Sequence, residues 1–381
     1  MKRSRTIRLS LGVMLGLALL VALLTAACGT AAQSSSQGQA TATTPQGILQ
    51  EALANMGQVT AGTGNVNLSV TVTGDSSKMP SGAQALLGQP LKLSGTYSFD
   101  KTAKAAQVGL NAAVAGQTIP VAFEAVNGQA WLQFMGQWYQ TPAAASKAAE
   151  TTTSGQETKA SAVQQALAAA GVDTNAWLTN AKIVGDETVN GVATSHISAT
   201  VNVSQIVSDL SKMAASGALK NLMPSGTANT QSTAAGSSTS ETMPTQQELQ
   251  QIQTTVSSAV QSLTLDVWVT KDTHQFRQVE VKATIVPPAA TAQNETTTSG
   301  STATTESAQQ AATKAALESL VQGIKSVSLD ATVSLAPATT PLKVTPPANA
   351  KPWSALQTTL QGFTSMFSGV LGGGSTSTSA Q

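Results

Sequence analysis

Three kinds of residue in this chain could do chemistry, and two of them are scarce. His196 and His274 are the only histidines, and Cys28 is the only cysteine. A metal site needs three or four converging ligands, and no second ligand stands near either histidine by spacing. A metal centre is not expected. His196 falls in a strand pattern on the polar side, with Thr194 and Ser198, while His274 falls in a turn. Ser and Asp are abundant enough to leave a Ser-His-Asp grouping open by count, but no Gly-x-Ser-x-Gly phrase occurs. No glycine-rich phosphate loop opens a helix. Asp266 and Glu280 lie on polar strand faces and read as solvated charges rather than an acid/base pair. The sequence therefore points away from an enzyme and implies no cofactor.

The third kind is aromatic and apolar. Trp131, Phe134 and Trp138 crowd one hairpin with Tyr139, and Tyr97, Phe99 and Phe123 lie in the strands just before it, with Leu110 among them. Taken singly, each reads as ordinary strand packing. Taken together, Tyr97, Phe99, Leu110, Phe123, Trp131, Phe134 and Trp138 fit the wall of an apolar ligand cavity, which needs few polar groups. Burying an acyl chain is worth about 0.8 kcal/mol per methylene, so such a cavity can hold lipid with no polar signature.

Cys28 takes its meaning from what precedes it. Lys2, Arg3, Arg5 and Arg8 are followed by an apolar run, Leu9 to Leu24, and then by small residues. That is the order of a secretory signal, and the run is short of the roughly 20 residues of a stable span. The positive-inside bias sends everything downstream across the membrane. Leu24-Thr25-Ala26-Ala27-Cys28 resembles a bacterial lipobox, with Thr25 where a large aliphatic residue usually stands. The resemblance implies cleavage before Cys28 and lipidation of that cysteine; the alternative is plain secretion with an incidental thiol. Several acyl chains would anchor the protein to the membrane stably where one would not. With a single cysteine, no disulfide forms within the chain.

Composition narrows the partners. Charged residues make up 10% of the 381 residues, well under the usual quarter. Removing residues 1–27 takes away four positive charges and no negative ones, moving the formal charge from +1 to −3. There is no basic patch for nucleic acid.

The elements that must position these groups read as follows. Residues 28–44 have the composition of a flexible tether. Thr44-Pro45 opens an amphipathic helix to Gln58. Period-two runs then give six strands between Val66 and Thr141, with Asn127-Gly128 as a tight hairpin turn. Ala160 to Ala170 reads as helix, and Asp173 can cap a short one carrying Trp177. Two strands follow around Asn190-Gly191, and then a helix capped by Ser204. Thr245 and Glu248 begin another helix. Strands at Leu263–Val269, Phe276–Ile285 and Val327–Leu335 follow, the last preceded by a helix from Ser307 to Gln322. Low-complexity insertions near 143–158, 224–244 and 287–306 cannot bury enough apolar area to order themselves. Residues 346–371 form an extension ending in an amphipathic helix from Trp353, read as docked on the sheet rather than on a membrane. A tail of 372–381 closes the chain.

The expected fold is thus α+β. A curved antiparallel half-barrel sheet of about eleven strands has helices over its concave face and encloses an apolar cavity, in one domain spanning 45–345. Three phrases resemble one family. They are "VNGQAWLQFMGQWYQTP" at 126–142, "ETVNGVATSHISATVNVSQI" at 187–206 and "LDVWVTKDTHQFRQVEV" at 265–281. Each is similar to a hairpin signature of bacterial lipoproteins of the LppX and LprG kind, within the wider LolA-like fold. The resemblance implies a lipid or glycolipid held in the cavity and handed on across the cell envelope. It also implies an envelope transporter as a further partner. A monomer on the outer face of the cell membrane is expected. The alternative function is a structural or sensory surface lipoprotein whose core is filled by its own side chains.

Overall fold

The structure is a computed structural model, and it describes residues 43–56, 58–79, 84, 87–114, 116–142, 171–215, 254–287 and 323–361. The leader, Cys28, the tether, the helices expected at 160–170 and 307–322, most of the helix begun by Thr245, the low-complexity insertions apart from Pro287, residues 362–371 of the expected terminal helix and the tail lie outside these residues.

Helix α1, Pro45–Met56, starts where the sequence places it. Thr44 caps it through Oγ1, which accepts from the Gly47 N–H at 3.2 Å. Six strands follow: β1 (Ala61–Gly74), β2 (Leu91–Asp100), β3 (Ala105–Val114), β4 (Gln117–Val126), β5 (Gln129–Phe134) and β6 (Gln137–Gln140). Each pairs antiparallel with the next. Asn127 and Gly128 both take positive φ, 50° and 77°, as a type I′ turn requires. A second meander holds β7 (Leu178–Val189), β8 (Val192–Val201), β9 (Val260–Thr270), β10 (Phe276–Ile285) and β11 (Ile324–Ser334). The two meanders join through β1 and β11, so β6 and β7 lie toward opposite edges of one unclosed, curved sheet. Two-residue strands β12 (Ala336–Pro337) and β13 (Lys351–Pro352) bring the total to thirteen. The eleven long strands are those expected.

Helix α2, Val203–Ala215, follows β8. Its cap departs from the sequence reading: Asn202, not Ser204, caps it, with Asn202 Oδ1 accepting from the Gln205 N–H at 3.1 Å. Asn202 stands one residue before the first helical residue, where a side-chain oxygen reaches the free amides. Ser204 is already inside the first turn. Asp173 does cap a turn of 3-10 helix at Thr174–Trp177. Helical residues also occur at 254–259 and 353–361, and Leu356 is buried at 1% exposure.

After β12 the chain crosses the ends of the first meander as a strap. The Ala338 N–H donates to Ala61 O at 3.0 Å, and the Leu342 N–H to Asp100 Oδ2 at 3.3 Å. Gln137 Nε2 donates to Asn349 O at 3.2 Å, and Lys351 pairs with Tyr139.

The paired register assigns one apolar face to the whole sheet. Directly opposed residues point the same way, and the line Phe134–Val121–Leu110–Gly95 on one meander continues through Val66, Val333, Val279, Val267 and Ile197 on the other. On the second meander that face is filled. Ile48, Leu49 and Ala52 of α1 sit in a buried cluster with Ile197, Leu265, Val267, Val281 and Leu329. α1 is further tied down by Glu51 Oε2, 2.7 Å from His274 Nδ1, and by Asn55 Nδ2 donating to Thr273 O at 2.9 Å.

Candidate functional site

The apolar face of β2–β5 differs from that of β8–β11 in its cover. Leu93, Tyr97, Val108, Leu110, Val121, Phe123 and Phe134 are each half-buried and none is fully buried. Five of the seven expected wall residues stand on this face: Tyr97, Phe99, Leu110, Phe123 and Phe134. Strand pairing sets Val108 opposite both Tyr97 and Phe123, and Val121 opposite both Leu110 and Phe134. They form one continuous patch.

Trp131 and Trp138 do not belong to it. Trp131 pairs with Glu124, and Trp138 with Gln133, both on the reverse face. The expectation of a single seven-residue wall is corrected here, and the reason is parity. Along β5, Leu132 and Phe134 point one way, so Trp131 and Gln133 point the other. Trp131 is nonetheless 4% exposed. Cys28 lies outside the described residues.

Tyr97 and Phe99 stack on each other, ring centres 6.5 Å apart and planes 9° apart. They lie over glycines of β1, Gly64 and Gly62 respectively. A Cβ at Gly64 would stand 2.7 Å from the Tyr97 ring and 1.9 Å from Ser334 O. The glycines let the rings settle onto the backbone, and the Tyr97 hydroxyl donates to Ser334 O at 2.8 Å. These aromatics brace the β1–β2–β11 junction as well as lining the face.

The reverse face carries a cluster of titratable groups. His196 Nδ1 is 2.8 Å from Glu187 Oε1, and its Nε2 is 3.0 Å from Asp266 Oδ1. The Trp268 indole donates to Glu187 Oε2 at 2.8 Å. Hydrogen bonds from Trp268 and then from His196 hold the Glu187 carboxyl below its ordinary value. The two carboxylates flank the imidazole on opposite sides, so they do not converge on one point. Among the described residues, no group of three or more His, Cys, Asp or Glu could hold a metal ion. Asp266 was expected to be solvated and is instead bound to His196, while Glu280 pairs with Lys282 Nζ at 2.7 Å.

Sequence reasoning also missed Asp209, a fully buried carboxylate on α2. It accepts from Lys212 Nζ at 2.7 Å, from Trp177 Nε1 at 2.8 Å and from Gln205 Nε2 at 3.0 Å. The spacing Gln205, Asp209 and Lys212 on one helix was a readable signal. Two open grooves, of about 270 and 360 Å³, lie along largely polar residues such as Thr200, Asn202 and Ser257, or Ser69, Lys282 and Asp330. Neither touches the Tyr97–Phe123 patch. Among the described residues, no helix is long and apolar enough to cross a membrane.

Two solved structures align with most of the chain. The Mycobacterium tuberculosis lipoprotein LppX matches at 10% identity over 79% of this chain and 98% of its own, with a TM-score of 0.31. LprF from Mycobacterium bovis matches at 12% identity over 80% of this chain and 97% of its own, with a TM-score of 0.30. No protein-family model and no curated protein matches the chain.

Proposed function

We propose that this is an exported envelope lipoprotein, anchored through Cys28, that holds a lipid or glycolipid against the apolar face of β2–β5 and passes it on. One observation carries the reading. A single apolar face runs across the whole sheet; among the described residues α1 fills its β8–β11 part, whereas the aromatic patch on β2–β5 is only partly buried. Covering the apolar area left on such a face is favourable for an acyl chain, at about 0.8 kcal/mol per methylene buried. The leader and the lipobox-like Leu24–Cys28 stretch support export and anchoring, and the three hairpin phrases support the choice of lipid as ligand. The reading assigns no catalytic step. Its competitor is a surface lipoprotein whose face is closed by the chain's own side chains, as α1 already does at Ala52, which is 0% exposed.

The test is native mass spectrometry, with lipid extraction, on protein purified from a lipid-containing exporting host. A co-purifying lipid near one-to-one supports the carrier. A clean apo mass that stays unchanged after incubation with mixed lipids supports the competitor.

A further inference from the structure

Arg277 is the only arginine beyond the leader, and its placement is unusual. From Phe276 to Gln278, β10 advances two residues while β9 advances one, from Val269 to Trp268, so a bulge is centred on Arg277. On the other side β10 stays in register with β11, Gln278 facing Ser334, and the Leu335 N–H donates to Arg277 O at 2.8 Å. Arg277 therefore shares a face with Val279 and Leu335, and that is the apolar face. Leu335 reaches the Gly62 position beside Phe99, on which Tyr97 stacks. A surface arginine lays its stem on apolar groups and keeps its head in water. Here Nε is buried and, among the described residues, has no hydrogen-bond partner. Burial pushes the guanidinium below its ordinary value, and the charge of Asp272 acts the other way. A buried donor without a partner calls for a ligand or water to complete it, and the guanidinium fork matches the two oxygens of a phosphate or carboxylate.

We propose that Arg277 is the anion subsite of the apolar face, taking the phosphate or carboxylate of an amphiphile whose acyl chain runs over Leu335, Phe99 and Tyr97. This rests on the lipid reading above and adds the headgroup class to it.

The test titrates the whole exported protein with dimyristoyl phosphatidylglycerol and with dimyristoyl glycerol, which share acyl chains and differ in charge. Native mass spectrometry reads the bound fraction for the parent, Arg277→Gln and Arg277→Lys. The expected result is a preference of about tenfold or more for the anionic lipid, equivalent to one tenfold step in Kd. Arg277→Gln loses that preference and keeps its affinity for the neutral lipid, and Arg277→Lys keeps part of the preference. Should the Gln variant fail to fold, by circular dichroism, the parent and Lys variant decide: equal preference in both overturns the fork. Equal binding of both lipids by the parent overturns the anion subsite and leaves the lipid reading standing. A preference that survives in Arg277→Gln removes Arg277 from it. No binding of either lipid or of inorganic phosphate overturns both. Inorganic phosphate bound by the parent and not by the Gln variant, with neither lipid bound, would keep the anion site and overturn its acyl part.

Discussion

His196 lies flat on Trp268, with ring centres 4.3 Å apart and planes 14° apart. Glu187 locks the stack by accepting from both rings, which ties edge strand β7 through β8 to β9. Replacing Trp268 with Phe keeps the stacking surface and deletes the indole bond, the first of the two that hold the Glu187 carboxyl low. The Glu187 carboxyl should then titrate higher, closer to its ordinary value of 4.5. Carbon-detected NMR of the Glu187 side chain checks this; an unchanged titration in Trp268→Phe would contradict it. The sign for stability follows. A carboxyl held low in the folded protein stabilises it above the unfolded value and loses that contribution as pH falls.

Asp209 gives the clearer acid dependence. Burial alone would raise its pKa, but the bonds from Lys212, Trp177 and Gln205 outweigh burial and hold the carboxyl below its ordinary 3.8. Its contribution is complete above pH 3.8 and fades as pH falls through the lower folded value. Asp209→Asn should lower stability at neutral pH by about 1–3 kcal/mol, the usual range for a buried polar group that loses a partner. The gap to the parent should narrow in acid. Urea midpoints measured from pH 7 downward report both effects, and a gap independent of pH would refute the assignment.

The Tyr97–Gly64 contact predicts a pair of unequal variants. Tyr97→Phe removes the hydroxyl bond to Ser334 O and should cost about 0.5–1.5 kcal/mol. Gly64→Ala pushes a methyl group to 1.9 Å from Ser334 O. Backbone must move to admit it, so the cost should reach or exceed the roughly 1–3 kcal/mol of overpacking. Denaturant unfolding ranks the two, and a Gly64→Ala protein more stable than Tyr97→Phe would show that the close approach is wrong.

Much of the sheet was legible because its signal is local. Val66, Leu68, Val70 and Val72 alternate with polar residues, and that alternation alone fixes which side of β1 is apolar. Asn127-Gly128 names its turn for the same reason. The faces of Trp131 and Trp138 were equally local, since Leu132 and Phe134 alternate with Trp131, but grouping aromatics by type hid their parity. The Glu187–His196–Asp266 arrangement was not legible. It depends on the register by which β8 meets β7 and β9, including the bulges between Thr179 and Gly185, and no spacing along the chain states that register. Arg277 was visible as a basic residue on a return strand. Its side follows from alternation with Val279 and Val281, while the bulge between β9 and β10, which brings Phe276 to the same side, shows only in the pairing.

The central claim is that an acyl chain rests on the Tyr97–Phe123 face. A phospholipid carrying a photoactivatable diazirine in its acyl chain, irradiated with the protein and followed by peptide mapping, tests it most directly. The account predicts adducts on Tyr97, Leu110, Phe123 or Phe134, which share that face, and none on Trp138 of the reverse face. Labelling concentrated on Trp138, or no labelling above that of a lipid-free control, would contradict it.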